Sequence, residues 1–325
     1  MQQYAFQIIQ YAFEEEECHE HTIGEMIDKH IKEDNFSYET DKEKRMFQWL
    51  YIKKELWSGT ILHNMSISTF KNSIKFDGDD LFVREGHEAI VNHFSHILEE
   101  KIRLNTVVSK IEYGGKKVKV HTNKGVLECD RIIVTVPLGV LQARSIEFSP
   151  PLPQEKSRLI DSLGMGVVNK VALLFDELFW PENISAINYV SDKRGEFPYF
   201  LNLYPLHKKP VLVCFTSGPF AKEIEELSDE EIISKITHKL LLMFPTAKRP
   251  SHFLITRWGK DPHTLGSYSY LGKGTTGEEC SLLAEPLDEK IFFAGEHTHQ
   301  ENRSTTSGAY LSGIEAARKV LSFLK

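Results

Sequence analysis

IFFAGEHTHQENRSTTSGAYLSGIEAARKV, residues 291–320, decides how this chain is read. An apolar strand pattern, IFFAG, stops at Gly295-Glu296 and gives way to a polar loop. The chain then re-enters as a helix whose first turn is small and hydroxylated: Thr306, Ser307, Gly308, Ala309. In α/β sheets the ends of buried strands are where ligands bind. A carboxylate at that position, Glu296, suits a sugar or ribityl diol. The unpaired N–H groups opening the next helix suit an anion, a contact worth roughly 0.3–1 kcal/mol. Small residues recur at Ser312, Gly313, Ala316 and Ala317, so this helix can lie close against a sheet. The same residues also suit a plain N-cap after an ordinary loop.

Outward from this segment the texture is mixed. Residues 1–80 hold helix formers and no proline. MQQYAFQIIQYAF places Ala5, Ile8, Ile9 and Ala12 on one helical face, and DKEKRMFQWLYIKKELW does the same with Phe47, Leu50, Tyr51 and Leu56. EEEECHEH brings Cys18, His19 and His21 together, but its glutamates read as a solvated helix end rather than a metal site. FDGDD is a turn. EGHEAIVNHFSHILEE predicts a helix with Ile90, Phe94, Ile97 and Leu98 on one face. IRLNTVVSKIEY and KKVKVHT are alternating strands around Gly114-Gly115, NKG turns into VLECD, and RIIVTVP is a buried strand.

Four prolines (Pro137, Pro150, Pro151, Pro153) mark a boundary. Beyond it VVNKVALLF, INYV, YFLNLY, VLVCFTSG and HFLITRWG are strand-like. LSDEEIISKITHKLLLMF is an amphipathic helix opened by a Ser228–Glu231 capping box, and GSYSYLGKG reads as a glycine-rich loop. The expected fold is α/β, mixed with α+β features. Its expected parts are a helical section over residues 1–79, an α/β section over 80–145, a sheet-and-helix section over 146–255 and a closing section over 256–325.

Composition sets bounds. Charged residues make up 26% and hydrophobic ones 41%, ordinary for a globular chain. A net charge of −7 argues against nucleic acid as the main partner and tolerates a cationic substrate. Four scattered cysteines form no CxxC pair, so free thiols in a reducing compartment are expected. No apolar run approaches a membrane span, and no leader pattern opens the chain. The last residues, SFLK, are not an SKL-type peroxisomal address, so a cytoplasmic or nuclear protein is expected.

Two further candidates carry chemistry. Lys170 lies in the apolar run LGMGVVNKVALLF, either buried with a lowered pKa or on the strand's polar face. Alternation puts Val168, Lys170 and Ala172 on one side and Asn169, Val171 and Leu173 on the other. In RWGKDPHTLGSYSY, Trp258, Tyr268 and Tyr270 gather around glycines. Such aromatics form a ring slot or a cation cage, or simply pack a core.

Taken in order, IRLNTVVSKI, RIIVTVPLGVL, LGMGVVNKVALLFDELFWP, RWGKDPHTLGSYSY and FFAGEHTHQENRSTTSGAYLSGIEAARK resemble the flavin-dependent amine oxidase family, over about residues 80–325. STT before SGA looks most like the spermine and acetylpolyamine oxidases, while GEHT also occurs in the flavin histone demethylases. The resemblance implies FAD, held in a Rossmann-like domain interleaved with a substrate domain. It implies oxidation of an amine C–N bond by hydride transfer to flavin N5, with dioxygen as the reoxidant and hydrogen peroxide as product. By the same resemblance Lys170 holds a water near N5. Val108, Trp258, Glu296, Thr305 and Thr306 contact the cofactor, and Tyr268 and Ser304 meet the substrate, a polyamine.

Departures accompany the match. The GxGxxG segment that binds the FAD diphosphate at a helix N-terminus is absent, which predicts an N-terminally incomplete nucleotide domain with poor solubility or self-association. Ser307 replaces a usual histidine, His263 stands where an aromatic is common, and Asn302-Arg303 replace an aromatic pair. The alternative expectations are an inactive remnant that acts as a binding protein and, less favoured without a long helical insertion, a demethylase-like oxidase.

Overall fold

DKEKRMFQWLYIKKELW folds as its periodicity predicts. In the computed structural model, which describes residues 20–69 and 83–323, Phe47, Tyr51 and Leu56 of this helix are buried. The helices in chain order are α1 (Ile23–Glu33), α2 (Asp41–Ser58), α3 (Glu88–Leu98), α4 (Leu138–Gln142), α5 (Gln154–Ser162), α6 (Tyr204–His207), α7 (Gly218–Glu225), α8 (Asp229–Met243), α9 (Glu278–Leu283) and α10 (Thr306–Ser322). The strands are β1 (Val108–Glu112), β2 (Val118–Thr122), β3 (Gly125–Cys129), β4 (Ile132–Val134), β5 (Glu147–Ser149), β6 (Leu163–Gly166), β7 (Val168–Leu174), β8 (Ala186–Asn188), β9 (Tyr199–Asn202), β10 (Val211–Ser217), β11 (His252–Ile255), β12 (Tyr268–Leu271) and β13 (Ile291–Phe293). The fold is mixed α/β. The predicted helix over MQQYAFQIIQYAF, the turn at FDGDD, and Cys18 and His19 lie outside the described residues.

Three apolar cores organise it. In the first, Ile111, Val118, Leu138, Ile160, Leu163, Leu271, Ile291 and Phe293 join the meander β3-β2-β1-β5 to the parallel pair β13–β4. β13 is wholly buried, as IFF predicts, whereas β4 buries only Val134 completely. In the second, Val171, Leu173, Leu212 and Cys214 from an antiparallel sheet ordered β11-β7-β10-β9-β8 pack with Ile224 of α7 and Ile232, Ile236 and Leu240 of α8. The capping box predicted at Ser228 and Glu231 opens α8. The third unites α1 and α2 through Ile23, Met26, Phe47 and Tyr51.

Two expectations change. GSYSYLGKG is not all loop: Tyr268–Leu271 form β12, antiparallel to β6, with Tyr268 and Tyr270 on one face and the buried Ser269 and Leu271 on the other. The helix predicted from EGHEAIVNHFSHILEE is present as α3, but its apolar face is not buried among the described residues. Ile90, Phe94, Ile97 and Leu98 are all exposed.

Candidate active site

Strand pairing sets Lys170 in a row of residues across one face of the sheet. Phe215 of β10 pairs with Lys170, and Tyr199 of β9 pairs with Phe215. Residues in register share a face, opposite to the one Val171 and Leu173 bury under the helices. Lys170 is therefore exposed, with its ammonium 5.5 Å from the centroid of the Phe215 ring. Trp57, at the end of α2, leans over the same row. Its ring lies 6.2 Å from Tyr199 and 6.3 Å from Phe215, centroid to centroid. Such a surface can receive the apolar chain of an amine, while the Lys170 ammonium already occupies the Phe215 face. Sequence reasoning misses Trp57, Tyr199 and Phe215, because only the register of distant strands reveals them.

Tyr268 joins this face to the strand end. Its hydroxyl donates to the carbonyl of Trp57 (3.0 Å), and burial pushes the phenol up to about 12, so it is a neutral donor. Ser269, next along β12, faces the other way. Its N–H (2.9 Å) and hydroxyl (2.7 Å) both donate to Glu296, and the N–H of Ser304 adds a third bond of 2.6 Å. A carboxylate offers about four acceptor positions, so about one remains for a ligand hydroxyl. The Ser304 hydroxyl donates back to the carbonyl of Ser269. Lys170, Phe215, Trp57, Tyr268, Ser269, Glu296 and Ser304 thus form an unbroken chain of contacts.

The strand-to-helix passage forms for local reasons. Gly295 has φ 144°, a backbone conformation that disfavours side-chain residues, which lets β13 break abruptly. Its N–H donates to Ser312 (2.9 Å), and Gly308, Ser312 and Ala316 form the buried stripe of α10, as the small-residue pattern predicts. Thr305 is the N-cap. Its hydroxyl oxygen accepts from the N–H of Gly308 (3.0 Å) and its hydroxyl donates to the carbonyl of Asn302 (2.6 Å). The N–H groups of Thr306 and Ser307 find no partner among the described residues, and both residues are exposed. Asn302 and Arg303 are buried. Arg303 donates to the carbonyls of Gln300 and Thr69, so the pair holds the loop in shape. His297 is also buried, its Nε2 has no partner among the described residues, and burial lowers its pKa against a weaker opposing pull from Glu296.

Trp258 is 38% exposed, and its backbone N–H donates to Asn169 (3.0 Å), the residue preceding Lys170. Trp258 is thereby tied to the Lys170 strand. Val108 opens β1, half-buried against the first core and apart from the chain of contacts that ends at Glu296. Among the described residues no cluster of ligating side chains could hold a metal ion.

The profile of the flavin containing amine oxidoreductase family matches residues 18–321, and the chain belongs to that family. The cofactor that membership implies is FAD. Polyamine oxidase 5 of Oryza sativa subsp. japonica is 36% identical over 298 residues, covering 89% of this chain and 57% of that protein. Lysine-specific histone demethylase 2 of Homo sapiens is 30% identical over 313 residues, covering 93% of this chain and 38% of the demethylase. A solved putrescine oxidase bound to putrescine superposes with a TM-score of 0.78 at 18% identity, over 99% of this chain and 74% of that one, a likeness of fold. The chain spans little more than half the length of the polyamine oxidase it matches.

The residues present suit a flavin edge. Two unpartnered N–H groups at the start of α10, an orphaned buried His297 Nε2 and an open acceptor position on Glu296 all gather where β13 ends.

Proposed function

We propose that this chain forms the substrate face and part of the cofactor site of an FAD-dependent amine oxidase acting on polyamines. The observation that carries the proposal is the contact chain from Lys170 to Glu296 through β12, which joins an aromatic face bearing one ammonium to an anion-suited helix start. The polyamine oxidase relatives favour a polyamine over other amines. Bound FAD supplies the hydride acceptor, and the protein supplies position and electrostatics.

The residues divide the work. The Thr306 and Ser307 N–H groups favour negative charge beside the helix start, and Thr305 keeps that start rigid. Glu296 offers its open acceptor position to a sugar or ribityl hydroxyl, and Val108 gives backbone contact at the adenine end. Trp258 lies along the ring system. Lys170 donates to a water or to the substrate nitrogen's surroundings and disfavours a second positive charge nearby, so it selects the neutral amine. Tyr268, Trp57, Tyr199 and Phe215 exclude water around the substrate chain, and Ser304 stands at the boundary with the cofactor edge. Because the reacting nitrogen must be uncharged, turnover rises with pH. Free thiols at Cys129, Cys214 and Cys280 support a cytoplasmic setting.

The test is direct. The purified chain is mixed with FAD, its visible spectrum is recorded, and peroxide release is measured with spermine and with acetylated spermine. Flavin bands that bleach with amine, and a loss of about 10²-fold or more in Lys170→Met, support the proposal. A colourless protein, or bands indifferent to both amine and Lys170, overturns it in favour of a binding protein without turnover. The exposed apolar face of α3 is the observation that favours this second reading.

A further inference from the structure

Asn169 sits beside Lys170 but points to the opposite face of β7, where it is fully buried. Its neighbours on that face, Val171 and Leu173, are apolar core. An amide there costs free energy unless its groups are satisfied, and here they are. Oδ1 accepts from the N–H of Trp258 (3.0 Å) and the hydroxyl of Thr256 (3.1 Å). Nδ2 donates to Glu225 Oε1 at 2.6 Å. The same carboxylate oxygen accepts the N–H of Gly259 at 2.8 Å, so the pair holds two consecutive backbone N–H groups of the loop that carries the Trp258 ring. The approach is close. A Cβ on Gly259 would lie 2.6 Å from Glu225 Oε2, so a larger residue there would push the carboxylate aside. Thr256 closes the circuit, because its hydroxyl oxygen also accepts the N–H of Lys170 at 2.8 Å.

A leucine at 169 could fill the same volume, but it could not hold the loop. We propose that Asn169 and Glu225 are a positioning pair that fixes the Trp258 loop against the Lys170 strand from behind the sheet, and so sets how those two residues face a bound ring and amine. The inference rests on the reading of Lys170 and Trp258 as site residues. Neither Asn169 nor Glu225 faces that site, since Asn169 lies on the covered side of the sheet and Glu225 on the helix α7 packed there.

The test uses the full chain, with amide hydrogen exchange read over residues 256–266 in the absence of FAD. Asn169→Asp is nearly isosteric and keeps both acceptor contacts, but it sets a second carboxylate against Glu225. Exchange of the loop should rise about tenfold or more, while β9 and β10 keep their protection. Adding Glu225→Gln removes the second negative charge but can restore only one of the two contacts, because the same side-chain atom faces residue 169 and the Gly259 N–H, so exchange should fall back toward the parent without reaching it. Loop exchange in Asn169→Asp equal to the parent's would overturn the proposal. Loss of protection throughout the sheet without recovery in the double variant overturns it as well. With FAD added, the flavin bands should shift in Asn169→Asp and move back toward the parent in the double variant. Flavin bands unchanged in both Trp258→Phe and Lys170→Met would sink the site reading while leaving the exchange result standing, so the two failures are distinguishable.

Discussion

At the scale of single residues, Glu296 shows how a site group can also hold the fold together. Three donors converge on its carboxylate, two from Ser269 and one from Ser304, and two of the three are backbone N–H groups that can only donate. Glu296→Gln keeps the shape but aims an amide N–H₂ at one or more of those donors. The expected cost is about 1–3 kcal/mol in a urea titration, with the midpoint lowered and the slope unchanged. Glu296→Asp retracts the carboxylate by one methylene and should lose as much. A Gln variant as stable as the parent would mean that the three contacts are not formed together. Lys170 is the opposite case. It is exposed, and its ammonium rests over the Phe215 ring, so its replacement should alter chemistry while leaving the melting curve nearly unchanged.

At the scale of elements, α1 carries a pH-dependent tie to the loop after β12. Lys273 bonds to the Glu25 carboxylate at 2.6 Å, and the Thr22 N–H completes a capping box with it at 2.9 Å. Together, with the lysine contact the larger influence, they hold Glu25 down to about 2, against an ordinary value near 4.5. The unfolded chain thus binds the proton more readily than the folded one. The stability Glu25 contributes is complete above about pH 4.5 and is lost as the pH falls from there through 2. The side chain is 39% exposed, so solvent screening reduces the effect to about 1 kcal/mol or less. Glu25→Gln should lower stability at pH 6 by that amount and flatten the acid arm of the stability curve between pH 4.5 and 2. An unchanged acid arm would show that the tie is absent in solution. Elements of this kind are largely legible in the sequence. The capping box at Ser228, the hairpin around Gly114-Gly115 and the helix after Thr305 each rest on residues within a few positions of one another. Lys170's face also follows from alternation, although alternation cannot say which face is covered. What cannot be read are partnerships set by strand register and packing: Ser269 with Glu296, Tyr268 with Trp57, Asn169 with Glu225. These residues are 27 to 211 positions apart, and nothing local in their surroundings distinguishes them from ordinary polar surface or core. For the same reason the sequence suggests a loop where β12 forms, because its pairing with β6 bridges about a hundred residues of chain.

At the scale of the whole molecule, the apolar surface is unevenly placed. Ile90, Val91, Phe94, Ile97 and Leu98 of α3 are exposed, and so are Ile102, Leu104 and Val107 in the segment leading to β1. Phe94 stacks on Tyr310 of α10, itself exposed, so the patch continues onto the helix that opens the candidate site. Large apolar side chains facing water favour association, since each one removed from water gains about 1.5–3 kcal/mol. The chain should therefore self-associate, with a mass that rises with concentration in sedimentation equilibrium and falls when the patch is made polar. Ile97 and Leu104 are the positions to change. At 71% and 74% exposure they have almost no packing to lose, so Ile97→Glu with Leu104→Glu should leave the melting temperature within a few degrees of the parent. It should also shift the association midpoint to at least about tenfold higher concentration. The control is Leu242→Glu on α8, also exposed but remote in sequence from this patch, which should leave association unchanged. A monodisperse monomer in the parent chain at every concentration, or a Leu242 variant as effective as the double variant, would show that the α3 surface does not drive contact between molecules.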